Sequence, residues 1–221
     1  MPRVTSLAID TRRESRYRVV IDGDMSAWID GELIHSFNLW VGADLEDHVV
    51  ARLFDGAARL AALDQGVAAL AIRARSAQEL TRWLAKKGCD PEHAGAAVAQ
   101  LTSLGLVDDA ALARSFARSR AVGRGMSRRR IQAELARRGV ARDLVDAAIV
   151  EVMLDEGLDE RTLAEAAARK KLRSLARCAP IVRRRRLAGF LGRQGFPPGL
   201  IRDLLRGLDA EHRGDFGFGD A

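Results

Sequence analysis

The side chains of this chain with the clearest chemical potential are its arginines. From Arg114 to Arg138 stand nine arginines and one acid, Glu134. Guanidinium groups stay charged at any accessible pH and fork onto phosphate or carboxylate oxygens. That density on a short segment points to an anionic partner; the alternative is a solvated arginine-rich face. A search for catalytic groups returns little. His35, His48, His93 and His212 are scattered, with neither zinc spacing nor a nucleophile partner. Cys89 and Cys178 match no metal or redox spacing and read as free thiols in a reducing cytoplasm. The sequence has no Walker loop. Asp108 and Asp109 precede a helix and read as acids complementing its N-terminus, rather than as a metal or catalytic pair. The chain is therefore expected to be no enzyme, with no metal and no cofactor.

The elements that must position these arginines are helices. Leu112, Ala113 and Phe116 share one side of a first helix; Ile131 and Leu135 share one face of a second, with Ala136 beside them. Between them, Gly123-Arg-Gly-Met-Ser127 reads as an interhelical turn. The alternative is a nest whose backbone N–H groups and Arg124 face an anion. The same architecture recurs on both sides. Gly88, Gly139 and Gly195 align, with Leu84, Leu135 and Leu191 four residues earlier and Leu80, Ile131 and Leu187 eight earlier. Val98, Ile149 and Leu205 follow ten residues later. Each glycine ends a helix with basic residues in its last turn, Lys86-Lys87, Arg137-Arg138 and Arg193, where cations complement the helix dipole. Ser76 with Glu79 has capping-box spacing, and Ser127 occupies the equivalent place in the next repeat.

The N-terminal residues differ. Arg16–Ile21 and Ser26–Ile29 read as strands around the Asp22-Gly23-Asp24 turn. Asp30-Gly31 reads as a second turn before Glu32–Phe37, with an earlier strand near Thr5–Ile9. Trp28, Phe37 and Trp40 are the expected packing anchors of this meander. Leu45, Val49, Leu53, Leu60 and Leu63 then trace a helical stripe loosened by Gly56.

The fold class expected is mainly α: three tandem three-helix (helix-turn-helix-like) repeats in an elongated curved array, after a small antiparallel β module. The divisions are a β module over 1–43, a connecting helix over 44–63, repeats over 64–108, 109–158 and 159–208, and a flexible tail over 209–221. Within the central repeat the helices are expected over 109–121, 128–138 and 142–154.

Charge follows the repeats. Residues 110–195 hold 21 Lys/Arg against 9 Asp/Glu, while the remainder holds 15 against 21. A basic region on acidic surroundings suits a polyanion. Helix-turn-helix readers present base-reading side chains at the start of a recognition helix. Here the third helices open on Pro91-Glu-His93, Ala141-Arg-Asp143 and Pro197-Pro-Gly199, which suit no base edge. The arginines lie on the preceding helices and fit backbone phosphates or an acidic protein surface. No apolar run approaches the ~18 residues of a membrane span, so a cytoplasmic location, away from membranes, is expected.

The ordered set of motifs resembles the RecX family. It comprises Ala71–Ser76 with Glu79-Leu80, Leu84 and Lys87-Gly88; Leu104–Asp109 with Ala113 and Phe116; and Arg120, Gly125, Ile131, Glu134-Leu135 and Arg138-Gly-Val140. Lys170-Lys171 and Phe190-Leu191 through Gly195-Phe196 match more loosely. The resemblance covers about residues 64–208 and leaves the β module outside. It implies a non-catalytic regulator of the RecA recombinase, usually an inhibitor, lodged in the groove of the RecA–DNA filament; the chain is expected to be a monomer. Its partners would be that filament and, through phosphates, single- and double-stranded DNA. The expected contact set is Arg118, Arg120, Arg124, Arg128, Arg129, Arg130 and Arg137, with Lys170, Lys171 and the run Arg183, Arg184, Arg185 and Arg186 as a second patch. Two other functions fit the same residues: a DNA-binding protein acting without RecA, and a helical-repeat adaptor between proteins.

Overall fold

The computed structural model describes residues 1–11 and 13–214. The chain divides into two compact units, Met1–Asp108 and Asp109–Ala221.

The first unit begins with strands β1 (Val4–Asp10), β2 (Arg13–Ile21) and β3 (Met25–Asp30), paired antiparallel in the order β1-β2-β3. Strand alternation buries Val19, Ile21, Ala27 and Ile29, against Leu39, Leu45 and Leu53 from further along the chain. The segment after Asp30 is a helix, α1 (Gly31–Ser36), rather than a further strand. The Asp30 carboxylate accepts the Glu32 N–H at 3.1 Å, so the Asp-Gly pair caps a helix instead of turning a hairpin. The anchors also differ from expectation. Trp28 and Trp40 are 46% and 58% exposed, and of the three aromatics only Phe37 packs on this core. The branched aliphatics fill the small interior, and the indoles are left at its surface.

Helix α2 (Asp47–Ile72) is continuous across the expected border between connecting helix and first repeat. Its earlier part packs on the sheet through Leu53; its later part joins α3 (Ala77–Lys86) and α4 (Pro91–Ser103) through Ala62 and Ala69. Glycine inside a helix costs about 1 kcal/mol, and two glycines here have a steric reason. A Cβ at Gly56 would overlap Leu33, and one at Gly66 would stand 2.6 Å from Leu101 Cδ1. The Ser76–Glu79 capping box is formed in both directions.

The second unit contains α5 (Asp109–Arg118), α6 (Arg128–Arg137), α7 (Arg142–Asp155), α8 (Glu160–Arg173), α9 (Pro180–Arg193) and α10 (Pro198–Gly214). A π-helical turn, Ser119–Gly123, follows α5. The second and third repeats share one core, with Ile131, Leu135, Ile149, Leu163, Leu187 and Leu191 at its centre. No strand occurs among the described residues of 110–155. Helix α10 runs on to Gly214, past the expected start of the tail; residues 215–221 lie outside the described residues.

All three repeats close their second helix in the same way. Gly88, Gly139 and Gly195 take φ of +85°, +82° and +89°. The next residue's N–H then reaches back five residues: Cys89 to Leu84 O at 3.1 Å, Val140 to Leu135 O and Phe196 to Leu191 O at 3.2 Å. This is the Schellman turn, and Val140 and Phe196 bury behind it.

Candidate anion-binding surface

The basic segment is built around the N-terminus of α6. Ser127 is buried and its hydroxyl accepts the Arg130 N–H at 3.2 Å, starting the helix. The Ser127 N–H donates to Gln194 O at 3.1 Å, and Arg130 Nη1 donates to Arg193 O. The end of α9 is thereby held beside the start of α6. A Cβ on Gly195 would stand 2.9 Å from Arg130 Cβ, so this approach requires glycine.

The loop before α6 is a turn and not an anion nest. Its N–H groups are used internally: Gly125 to Ala121 O and Met126 to Arg120 O, both at 3.0 Å. The π-helical turn leaves few donors for a ligand.

The nominated side chains separate by their partners. Arg118 donates to Glu156 and Asp155, each at 2.8 Å. Arg120 is half-buried, stacks on Phe116 at 4.6 Å and stands 3.7 Å from Glu134. Arg130 takes the other oxygen of Glu134 at 3.1 Å. These three are tied to the fold. Arg124 and Arg129 are exposed and Arg128 is half-buried, and none of the three forms an ion pair with a described residue. Arg137 is exposed at the end of α6. Lys170 Nζ donates to Gly123 O at 3.3 Å, which places it with Arg124 at one cleft. Lys171 lies over the Phe190 ring at 5.6 Å. Arg183 is half-buried and Arg184, Arg185 and Arg186 are exposed on the first turns of α9; Arg186 Nη1 reaches Cys178 Sγ at 3.4 Å.

Acids from outside residues 114–138 lower the local field. Asp155 ends α7, Glu156 caps it, and Glu160 opens α8. Glu160 accepts the Arg128 N–H at 3.4 Å, so one carboxylate faces the α6 N-terminus. Burial raises its pKa above the ordinary carboxylate value, against the opposing pull of that hydrogen bond and of Arg128. Arg202, not singled out from sequence, lines a groove with Arg129 and Phe196. Its position on the following helix hides it from any linear scan.

The charge divides with the units: Met1–Asp108 holds 12 Lys/Arg against 15 Asp/Glu, and 109–221 holds 24 against 15. Among the described residues no group of three His, Cys, Asp or Glu is placed to hold a metal ion, and no helix is long and apolar enough to cross a membrane.

Tandem three-helix units, each with a Schellman turn at the end of its second helix, define a helical-repeat protein whose net positive charge is gathered in one of two units. Family models agree on the units and their order: RecX first three-helix domain over residues 62–101, second over 108–149 and third over 159–205. The chain belongs to the RecX family. It is 38% identical over 146 residues to the regulatory protein RecX of Amycolatopsis mediterranei, covering 64% of this chain and 82% of that one. With the regulatory protein RecX of Chlorobaculum tepidum it shares 34% over 152 residues, 69% of this chain and 91% of the relative. A crystal structure of a regulatory protein RecX superposes with a TM-score of 0.70 at 19% identity, covering 92% of this chain and all of that one. RecX from Lactobacillus salivarius gives 0.56 at 16% identity over 69% of this chain and 97% of that one. At these identities the likeness is one of fold.

Proposed function

We propose that this chain is a non-catalytic modulator of the RecA recombinase that inhibits it by lying in the groove of the RecA–DNA filament. Its basic second unit is the contact surface. The observation that carries this reading is the placement of Arg124, Arg128 and Arg129. They sit before or within the first turn of α6, where positive charge opposes the helix dipole, and no described acid forms an ion pair with their side chains; the carboxylate beside them, Glu160, accepts the backbone N–H of Arg128. Their local cost is offset by a partner carrying negative charge. Membership of a family whose relatives are named regulatory proteins supports the choice of a regulatory role. Arg184, Arg185 and Arg186, with Arg183, Lys170 and Lys171, extend the surface along α8 and α9. Arg118, Arg120 and Arg130 act mainly in holding it together. The protein acts as a monomer in the cytoplasm and reads phosphates rather than bases.

The test is RecA's DNA-dependent ATP hydrolysis with the wild-type chain and with the combined Arg124→Ala, Arg128→Ala, Arg129→Ala variant. The wild type is expected to lower turnover, less so as salt screens the contact. The triple variant is expected to lose most of that effect while keeping its thermal midpoint. An unchanged effect at wild-type concentrations would place the working surface elsewhere. Steep salt-dependent binding to bare duplex, with no effect on RecA, would favour the DNA-binding reading.

A further inference from the structure

The second unit carries a cleft whose apolar walls the phosphate reading does not use. It has a volume of about 290 Å³ and lies between the π-helical turn, α8 and Phe190 of α9. Its walls are apolar: Val122, Leu158, Leu163 and Phe190, with Ala166 at the edge. Val122 is 56% exposed, so its side chain is open to a partner. Gly125 is pressed onto α8, where a Cβ on it would stand only 2.9 Å from Ala167 Cβ, so the turn forms a close-packed wall. Two cations stand at the rim, Arg124 and Lys170. The acid there, Glu156, is engaged by Arg118 Nε at 2.8 Å.

We infer that this cleft receives one large apolar side chain of an acidic protein segment, with Arg124 and Lys170 pairing with the flanking carboxylates. The lining decides against a nucleobase. It is largely aliphatic, and it presents no side-chain amide or hydroxyl to the edge of a base. A base seated there would find polar side chains only at the rim, and its inner edge would lose its hydrogen bonds to water against the apolar walls, whereas a phenylalanine or leucine loses none. The rim charge and the net positive charge of the unit select acidic flanks. The cleft is thereby the protein-contacting part of the surface, and Arg128 and Arg129 with the α9 arginines are its phosphate-contacting part. This deepens the RecA reading by naming the partner's chemistry, but its first test does not need RecA.

The full chain, labelled at its valine and leucine methyl groups, is titrated with acetyl-Asp-Glu-Phe-Glu-Asp-amide and with the same peptide carrying serine at its centre. The phenylalanine peptide is expected to shift the methyl signals of Val122, Leu158 and Leu163, and to bind at least about tenfold more tightly than the serine peptide, the value of one buried aromatic side chain. Ala166→Trp, at an exposed position on the edge of the cleft, is expected to abolish these shifts. Equal binding of the two peptides, or no shift at these methyls, overturns the inference. So does an oligothymidylate that shifts the same methyls and is displaced by the Ala166→Trp change. In a second arm, Ala166→Trp is expected to weaken inhibition of RecA about tenfold while leaving oligonucleotide binding unchanged. Should the peptide arm succeed and the wild type have no effect on RecA, the choice of RecA fails and the cleft's specificity stands.

Discussion

Adjacent acids at the start of α8 face opposite electrostatic environments. Asp159 is exposed, and its pKa is lowered, first by the backbone hydrogen bond from Thr162. Its stabilisation is present above the ordinary value of 3.8 and is lost as pH falls through the lowered pKa. Glu160 is the reverse. Burial raises its pKa, so its ionisation weakens the fold, and the loss sets in as pH rises through that raised value. Asp159→Ala is therefore expected to lower the thermal midpoint at neutral pH, with the difference closing in strong acid. Glu160→Gln is expected to raise the midpoint at neutral pH, with the gain vanishing on acidification. A melting series across pH separates the two. The repeat glycines give a second comparison at this scale. A Cβ on Gly88 would meet open space, while on Gly195 it would meet Arg130 and Ser127. Gly88→Ala is expected to cost about 1–2 kcal/mol for left-handed backbone alone. Gly195→Ala should cost more in urea unfolding, because the α6 N-terminus must also move.

At the scale of the element, the helices were legible because several signals agreed. Leucine periodicity, a Ser-x-x-Glu box and a terminal glycine each mark α3 independently. Residues 31–36 were illegible because Asp-Gly serves either a hairpin or a helix cap, and only the hydrogen bond donated by the Glu32 N–H to the Asp30 carboxylate decides between them. The tryptophans misled for a related reason: a small sheet has too little interior for indoles, and aliphatic side chains filled it. The candidate surface was half legible. Counting charges found the arginines, but not that Arg118 is tied to Asp155 and Glu156, nor that Arg124 meets Lys170 at a cleft. Those pairings join residues 37 to 46 positions apart. Helix α6 gives the prediction proper to this scale. Removing Arg128 and Arg129 from its first turn relieves an unfavourable dipole contact, worth about 0.3–1 kcal/mol at most for surface charge. The double alanine variant is expected to melt at or slightly above the wild-type midpoint.

For the whole molecule, the division into two units with separate cores predicts separable unfolding. Ile131 is 1% exposed within the core of the second unit. Ile131→Asp buries an unpaired carboxylate there, at a cost of about 3–5 kcal/mol. Calorimetry of that variant is expected to lose the transition of the second unit and keep that of the first. The first unit has its own constraint, set by α2. Asp55 on this helix pairs with His93 of α4 at 2.8 Å, and Asp64 pairs with Arg16 of β2. Sheet and first repeat are thus keyed to overlapping lengths of one shaft. Each added residue turns a helix by about 100° and lengthens it by about 1.5 Å. One alanine inserted between Ala58 and Arg59 would swing the two partners out of phase, and a seven-residue insert would nearly restore the phase but part them by about 10 Å. No insert length preserves both grips. The azimuth of the sheet about the first repeat is therefore set by a residue count, and a change of one in that count is expected to cost the first unit its melting transition.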